Sequence, residues 1–361
     1  MNPLARRPIR AGLVIGSLLG WALWLQWPAP ARAGAAALEL ADCEQRADAS
    51  LAATAQAQAA SAPSAVTAWL AVLLAAEPAA PEPARVAQAW QASAAALAAS
   101  PQARQRAAGL LMAQPWPPGP AGRASLPPES LRALVALGVQ SGDATALHWA
   151  LAACAAAREA PVCQGLSARH LVRVAPTNLV SWLRLLAQEP AALDEALHGM
   201  ARAETVDLGW LRWAATVAAA LPDALAPELR LQIVGELVSR DMAGNWPSFD
   251  ALLRACGEPA LADANRRQLC QAIAQRMVGQ SRELITQRIG IALGTRLAWP
   301  AERLAALRAE GDPPGSPLPL WLAPGLAPQC AVVLQQQWLA GVEQWGELGW
   351  LRQQRKPPAG R

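Results

Sequence analysis

The sequence predicts an all-helical protein, and three observations predict it. Alanine and leucine, both strong helix formers, dominate the 361 residues. Their apolar positions recur at intervals of three and four, the spacing of one helix face. β-Branched and aromatic residues are too sparse and scattered for a sheet: tyrosine is absent and Phe249 is the only phenylalanine, beside 16 tryptophans. Lys356 is the only lysine, and such a bias reflects a GC-rich genome, so abundant alanine and arginine carry no functional signal of their own.

Residues 1–33 read as an export signal. Arg6, Arg7 and Arg10 precede an apolar run from Ala11 to Trp27, and Ala31-Arg32-Ala33 offers a small-x-small exit before Gly34. An uncleaved anchor is the alternative, because Trp21, Trp24 and Trp27 suit a membrane interface, although the run is barely long enough to span. Pro28 and Pro30 break the helix at its end and favour cleavage. Either way the rest of the chain is expected outside the cytoplasm, in the periplasm, with the N-terminal segment its only tie to a membrane. Leu40-Ala41-Asp42-Cys43 is not a lipoprotein box, since Asp42 stands where a small neutral residue is needed. Arg6-Arg7-Pro8 lacks the flanks of a twin-arginine signal. Removing residues 1–33 takes away Arg6, Arg7, Arg10 and Arg32 and no acid, so the formal charge falls from +4 to 0. A neutral chain has no electrostatic footprint for nucleic acid or anionic lipid.

Residues 34–113 form an alanine-rich region cut by Pro63, Pro78, Pro81, Pro83 and Pro101 into about four helices, one with Val66, Leu70 and Leu73 and another with Val86, Trp90, Ala94 and Leu97. The apolar stretch 65–76 is too short to cross a bilayer and reads as a buried helix. Residues 114–128 hold six prolines, which cannot continue a helix, and are expected as a spacer between helical layers. Residues 129–310 then follow a rhythm of helix, turn, helix. Leu131, Leu134, Val135 and Gly138 share one face; Ser141-Gly142-Asp143 turns and caps; a helix runs through Leu147 and Leu151 to Cys154. Further helices are expected over 163–174, from Asn178 through Leu186, through Leu193 to Met200, and over 208–220, 229–238, 249–256, 265–278, 281–297 and 301–310. Residues 311–328 form a second Pro/Gly-rich loop. A last helix is expected within 329–354, and 355–361 as a disordered tail.

Pro176-x-Asn178-x-x-x-Trp182-x-x-Leu185 resembles the junction of two tetratricopeptide-type repeats, in which proline ends one unit, asparagine starts the next helix, and tryptophan and leucine point inward. Trp149 lies 33 residues before Trp182, and Trp213 lies 33 before Trp246, near that family's period of about 34. The resemblance covers residues 143–205. It departs from the pattern at Leu186, where glycine or alanine is usual, at the short turn Glu189-Pro190, and at Trp246, set in the loop-like Gly244-Asn245-Trp246-Pro247. It implies an irregular α-solenoid with its concave face as a protein-binding surface. More loosely, residues 130–350 resemble uncharacterised exported helical proteins of Gram-negative bacteria, through Cys154, Cys163, the Pro176 to Trp182 junction and Trp299-Pro300-Ala301-Glu302-Arg303-Leu304; that resemblance implies no activity.

The six cysteines read as staples, because an exported chain can keep them oxidised. Of fifteen possible connectivities, the turns at Arg158-Glu159-Ala160-Pro161 and Gly257-Glu258-Pro259 select Cys154 with Cys163 and Cys256 with Cys270. Cys43 and Cys330 remain as a long-range pair. No two cysteines lie two to four apart and no histidine pair accompanies them, so no metal site is expected. His148, His170 and His198 read as surface or capping residues. No Gly-x-Ser-x-Gly, P-loop or Gly-x-Gly-x-x-Gly occurs, and no cofactor or catalytic residue is expected. Trp338, Trp345 and Trp350 fall near one face of the last helix and are the candidate interaction aromatics, although in a chain without tyrosine and with one phenylalanine tryptophan reads first as the ordinary core filler. The expected function is therefore an exported helical-repeat scaffold with a protein partner. The alternative is a cell-envelope enzyme acting on glycans through carboxylates such as Glu129 or Glu189.

Overall fold

The computed structural model describes residues 40–61, 82–114, 116, 126–244, 247–311, 320–323 and 325–354. Residues 1–33, the expected helix over 65–76, Trp246, the tail 355–361 and most of the two proline-rich segments lie outside the described residues.

Among the described residues there are fifteen α-helices and no strand. They are α1 (Leu40–Ser61), α2 (Pro83–Ala98), α3 (Ala103–Leu111), α4 (Pro128–Ser141), α5 (Ala144–Ala156), α6 (Ala168–Val174), α7 (Leu179–Gln188), α8 (Leu193–Arg202), α9 (Arg212–Ala220), α10 (Pro227–Gly244), α11 (Asp250–Ala255), α12 (Ala264–Gly279), α13 (Leu284–Arg296), α14 (Ala301–Gly311) and α15 (Pro328–Gln354). No described helix is both long and apolar enough to cross a membrane.

Local chemistry sets the helix starts. Proline opens α2, α4, α10 and α15, where its missing amide hydrogen costs nothing. Asp143 accepts from the Ala146 amide at 2.8 Å to cap α5, and Asp263 accepts from Arg266 at 2.7 Å to cap α12. Two starts differ from the sequence reading by four residues or more. The helix expected from Cys163 begins at Ala168, because Pro161–Cys163 forms a 3-10 turn and Ser167 with His170 builds a capping box. The helix expected from Leu208 begins at Arg212, because Gly209 and Leu211 both take positive φ.

Two large cores organise the chain. The first joins α2, α3, α4, α5, α9 and α10 with Leu339 and Val342 of α15, and holds Trp90, Trp149 and Trp213. Helices on both sides of residues 114–128 share this core. Helix α5 is buried over most of its length, from Thr145 to Leu151, and forms its centre. The second core joins α7 and α8 with α11, α12, α13 and α14. Large rings seat on glycines where helices cross: Trp182 lies against Gly199, so a side chain there would meet the indole.

The six cysteines pair as the turn positions select: Cys43–Cys330, Cys154–Cys163 and Cys256–Cys270. Cys43–Cys330 lies in a third, small core with Trp321, Leu326 and Leu334. It spans 287 residues and ties α1 to the start of α15, a constraint worth about 5 kcal/mol in the chain-entropy treatment. Cys43, Cys256, Cys270 and Cys330 are wholly buried, whereas Cys163 is partly open to solvent. Since exchange requires a thiolate to reach a sulfur, Cys154–Cys163 is expected to be reduced first. Graded reduction, alkylation and peptide mass spectrometry should find that pair labelled while the other two stay intact.

Candidate functional site

The polar centre of the protein is built where three helix-initiating segments meet. The residues just before α7, α9 and α13 run side by side: the Leu179 amide donates to the Thr205 carbonyl at 2.9 Å, and the Arg282 amide to the Val206 carbonyl at 3.1 Å. They form two isolated parallel bridges, Asn178 with Thr205 and Val206 with Ser281. A fourth segment joins from α15, whose Leu348 amide donates to the Arg282 carbonyl at 3.0 Å.

Side chains then cross-link these segments in sequence. Asn178 caps α7 by accepting from Val180 at 3.2 Å, and its amide nitrogen donates to the Asp207 carbonyl at 2.8 Å. Its oxygen also accepts from the Asp207 amide at 3.2 Å. Asp207 accepts from the Gly209 amide at 2.7 Å and from Arg212 at 2.6 Å, with Arg282 at 3.6 Å. Glu283 reaches back to accept from the Leu208 amide at 3.0 Å. Glu347 of α15 in turn accepts at 2.9 Å from the amide of Leu284, the first residue of α13. Glu347 thus satisfies the first amide of α13, while Asp207 and Glu283 satisfy the Gly209 and Leu208 amides of the loop before α9.

Helix α15 breaks to make this possible. Gly346 takes φ 75° and ψ 168°, and a Cβ there would lie 2.6 Å from Cβ of Arg282 and 2.7 Å from its carbonyl oxygen. Arg282 donates to the Glu343 carbonyl at 2.6 Å, across the turn before the break. Glu343 pairs with Arg104 of α3 at 3.6 Å, and Arg104 with Asp143 at 3.8 Å.

The electrostatics follow from burial. Burial pushes Asp207 up, but Arg212, the Gly209 amide and Arg282 outweigh it and hold it below the usual carboxylate range. Glu283, only 4% exposed, is driven well above that range by burial first and by the charge on Asp207 second. Burial also raises Glu347 to about 7, against the Leu284 amide and Arg288, which lower it. The crevice between them is lined by Asp207, Trp210, Arg212, Arg282, Glu283 and Glu347. It can exchange protons, but its carboxyls are turned onto backbone amides and guanidinium groups.

The same centre reaches α5 through Arg212, which donates to Thr145 at 3.1 Å. One turn on, His148 is buried and its Nε2 lies 2.9 Å from Arg184. Burial, then Arg184 and Arg212, hold His148 well below its usual value, so it is neutral and accepts from Arg184. Burial lowers Arg184 to about 10, so it remains charged. This corrects the reading of His148 as a surface or capping residue. His170 caps α6 as expected, and His198 is exposed on α8 beside an open groove with Asp194, Asp263 and Arg266.

The candidate aromatics separate. Trp338 is half-buried and tilted against Trp321, their centroids 5.9 Å apart. Trp350 is half-buried with its ring on Gly341. Trp345 is 41% exposed and stacks on Trp350 at 6.1 Å and 13° across the break in α15. Of the carboxylates considered for glycan chemistry, Glu129 is exposed in the first turn of α4 and Glu189 is not unpaired, since it binds Arg169 at 2.8 Å. Among the described residues no group of three or more His, Cys, Asp or Glu is placed to hold a metal ion.

Sequence reasoning picked out Asn178 and missed Asp207, Glu283, Glu347 and the Arg184–His148 pair. One signal was available in Trp345-Gly-Glu-Leu-Gly-Trp350, where two glycines interrupt a helical pattern at a cost of about 1 kcal/mol each. Fold and site together define a disulfide-bonded, all-helical protein with a polar centre made of cross-linked helix starts. Comparison with protein-family models, with curated proteins and with solved structures finds no match for this chain.

Asn178→Ala removes a cap and two bonds to Asp207, and should cost about 2 to 3 kcal/mol in denaturant unfolding, with the helical circular dichroism retained. His148 titrates lower in the folded chain than in the unfolded one. Its contribution is therefore complete above pH 6.5 and is lost as pH falls below that value. His148→Gln keeps an acceptor for Arg184, so the wild-type stability advantage over this variant should shrink between pH 6.5 and pH 5.

Proposed function

We propose that this chain is an exported, periplasmic helical scaffold that binds a protein partner through the outer face of Trp345 on α15. Three disulfides, two of them with both cysteines wholly buried, fit an oxidising compartment. An export signal at residues 1–33 supplies the route. The observation that carries the binding surface is the Trp345–Trp350 stack: the inner ring is seated on Gly341, while the outer ring is left 41% exposed. Among the described residues, the other large apolar side chains as open to solvent are the aliphatic Val139 and Val174. A rigid indole presented this way suits a contact centre, because little conformational entropy remains to be lost on binding.

We infer further that α5 to α8 are tetratricopeptide-like. Supporting this, Asn178 starts α7, Leu185 is fully buried, and the α7 tryptophan packs into α8 at Gly199. The glycan-acting alternative is the weaker reading, because the acid-lined crevice presents carboxyls that already hold amides.

Tagged wild-type protein, and its Trp345→Ala and Val139→Ala variants, should be expressed with the native N-terminus and recovered from the periplasmic fraction. Wild type and Val139→Ala should capture the same partner, and Trp345→Ala should weaken that capture by at least about tenfold, the scale of a hot-spot residue. Equal capture by all three, or glycan turnover by the purified protein, would refute this reading.

A further inference from the structure

The indole N–H groups of Trp90, Trp182, Trp213 and Trp299 donate within the protein, to the carbonyls of Met112, Pro176 and Ala108 and to the Gln271 amide oxygen, at 2.7 to 3.2 Å. Among the described residues, no acceptor meets those of Trp345 and Trp350. Both rings are nonetheless packed in place. Trp350 is seated on Gly341, Trp345 lies nearly parallel to it at 6.1 Å and 13°, and a Cβ at Gly349 would come within 2.8 Å of Cβ of Trp345. Two fixed donors are thus left unpaired beside one exposed indole face.

The charged side chains of the same stretch of α15 are turned elsewhere. Glu343 pairs with Arg104 at 3.6 Å, Glu347 accepts from the Leu284 amide at 2.9 Å, and Arg352 pairs with Glu310 at 2.6 Å. What the helix leaves open near Trp345 is uncharged: Ala340 and Gln344 before the break at Gly346, and Gln353 beyond it. A complementary segment carries no charge, offers an apolar body to the indole and brings hydrogen-bond acceptors to the two donors.

Proline meets all three demands. It has no amide hydrogen, so a run of prolines presents only pyrrolidine rings and carbonyls, and nothing on it is left seeking an acceptor. A glycan would bring hydroxyl donors as well, and the carboxylates near this face are already engaged. A proline run also holds the polyproline II shape before it binds. That matters here, because one indole face buries too little area to offset the ordering of a flexible chain.

We propose that Trp345 and Trp350 receive a proline-rich segment of the partner in the polyproline II conformation, its rings packed on the outer indole and its carbonyls accepting from the two indole N–H groups. This rests on reading the outer face of Trp345 as the partner surface, and adds the chemistry of what the partner places there.

Proton–nitrogen correlation spectra of the full-length protein observe the indole N–H groups directly, with Trp345→Phe and Trp350→Phe assigning the two resonances. End-blocked decaproline should shift both saturably and leave those of Trp90, Trp182, Trp213 and Trp299 in place. An end-blocked glycine–serine decapeptide, equally uncharged but flexible and rich in amide hydrogens, should shift neither. In calorimetry, Trp345→Phe keeps an aromatic face and loses the donor, so it should bind decaproline about three- to tenfold more weakly, the scale of one hydrogen bond. Trp345→Ala should not bind it, and Val139→Ala should bind as wild type does. Unmoved Trp345 and Trp350 resonances with decaproline would overturn the proposal, as would an equal response to the glycine–serine peptide. A response to a neutral chito-oligosaccharide in place of decaproline would overturn it in favour of a glycan. If decaproline fails while Trp345→Ala still loses the captured partner, the proline chemistry falls and the surface stands. If Trp345→Ala captures the partner as wild type does, the surface itself falls and the proposal with it.

Discussion

An α-helix leaves its first amides without partners, and a protein that buries several helix starts in one place has to supply acceptors there. This chain brings the starts of α7 and α13 together with the loop before α9, and answers the demand with Asn178 and Glu347 at helix amides and with Asp207 and Glu283 at loop amides. The rest of the architecture depends on that solution. The second core of α7, α8 and α11 to α14 meets the first through it, since the segment before α9 carries Val206 of the second core and Leu211 of the first. Removing Glu283 leaves the buried Leu208 amide unsatisfied, which costs more than the bond it made.

Carboxyls in such a place cannot all be ionised. Arg212 and Arg282 compensate one, and Asp207 takes that role because it touches both. Burial raises Glu283 and Glu347 above the usual carboxylate range. Nearby His148 is kept neutral by burial, so one region shifts two acids and one base toward their uncharged forms. Their effects on stability oppose one another. Acidification between pH 6.5 and pH 4.5 works against His148 and for Glu347, which flattens the global pH profile while leaving each local element sensitive.

Much of the fold was legible in the sequence because helices announce themselves locally. Apolar spacing gave the faces of α4, α7 and α8, prolines gave the starts of α4 and α15, and short turns gave two of the three cysteine pairs. What was not legible was decided by distant segments. Leu211 at positive φ is tolerated because Gly209, Asp207 and Glu283 fix the loop around it, and nothing in residues 208–212 alone announces that. The break at Gly346 needs the backbone of Arg282 pressed against it. His148 looks like a surface residue until α5 is found at the centre of a core with Arg184 beside it. Asn178 alone was visible, since its role as a cap is local even though its contacts with Asp207 are not.

The disulfides complete this division between fixed and adjustable parts. Cys154–Cys163 and Cys256–Cys270 close short turns within 9 and 14 residues, and Cys43–Cys330 clamps the first turn of α15 onto α1. None lies at the junction of helix starts. Helix α15 is therefore covalently fixed at one end, packed against α9 and α10 along its middle, and held by hydrogen bonds and aromatic stacking beyond Gly346. A staple at residue 347 would have served stability better than a carboxyl whose charge is expensive to bury. The Trp350 ring packs against the first core, so the last turns beyond Gly346 belong to the same body that the staple at Cys330 anchors at the other end of the helix.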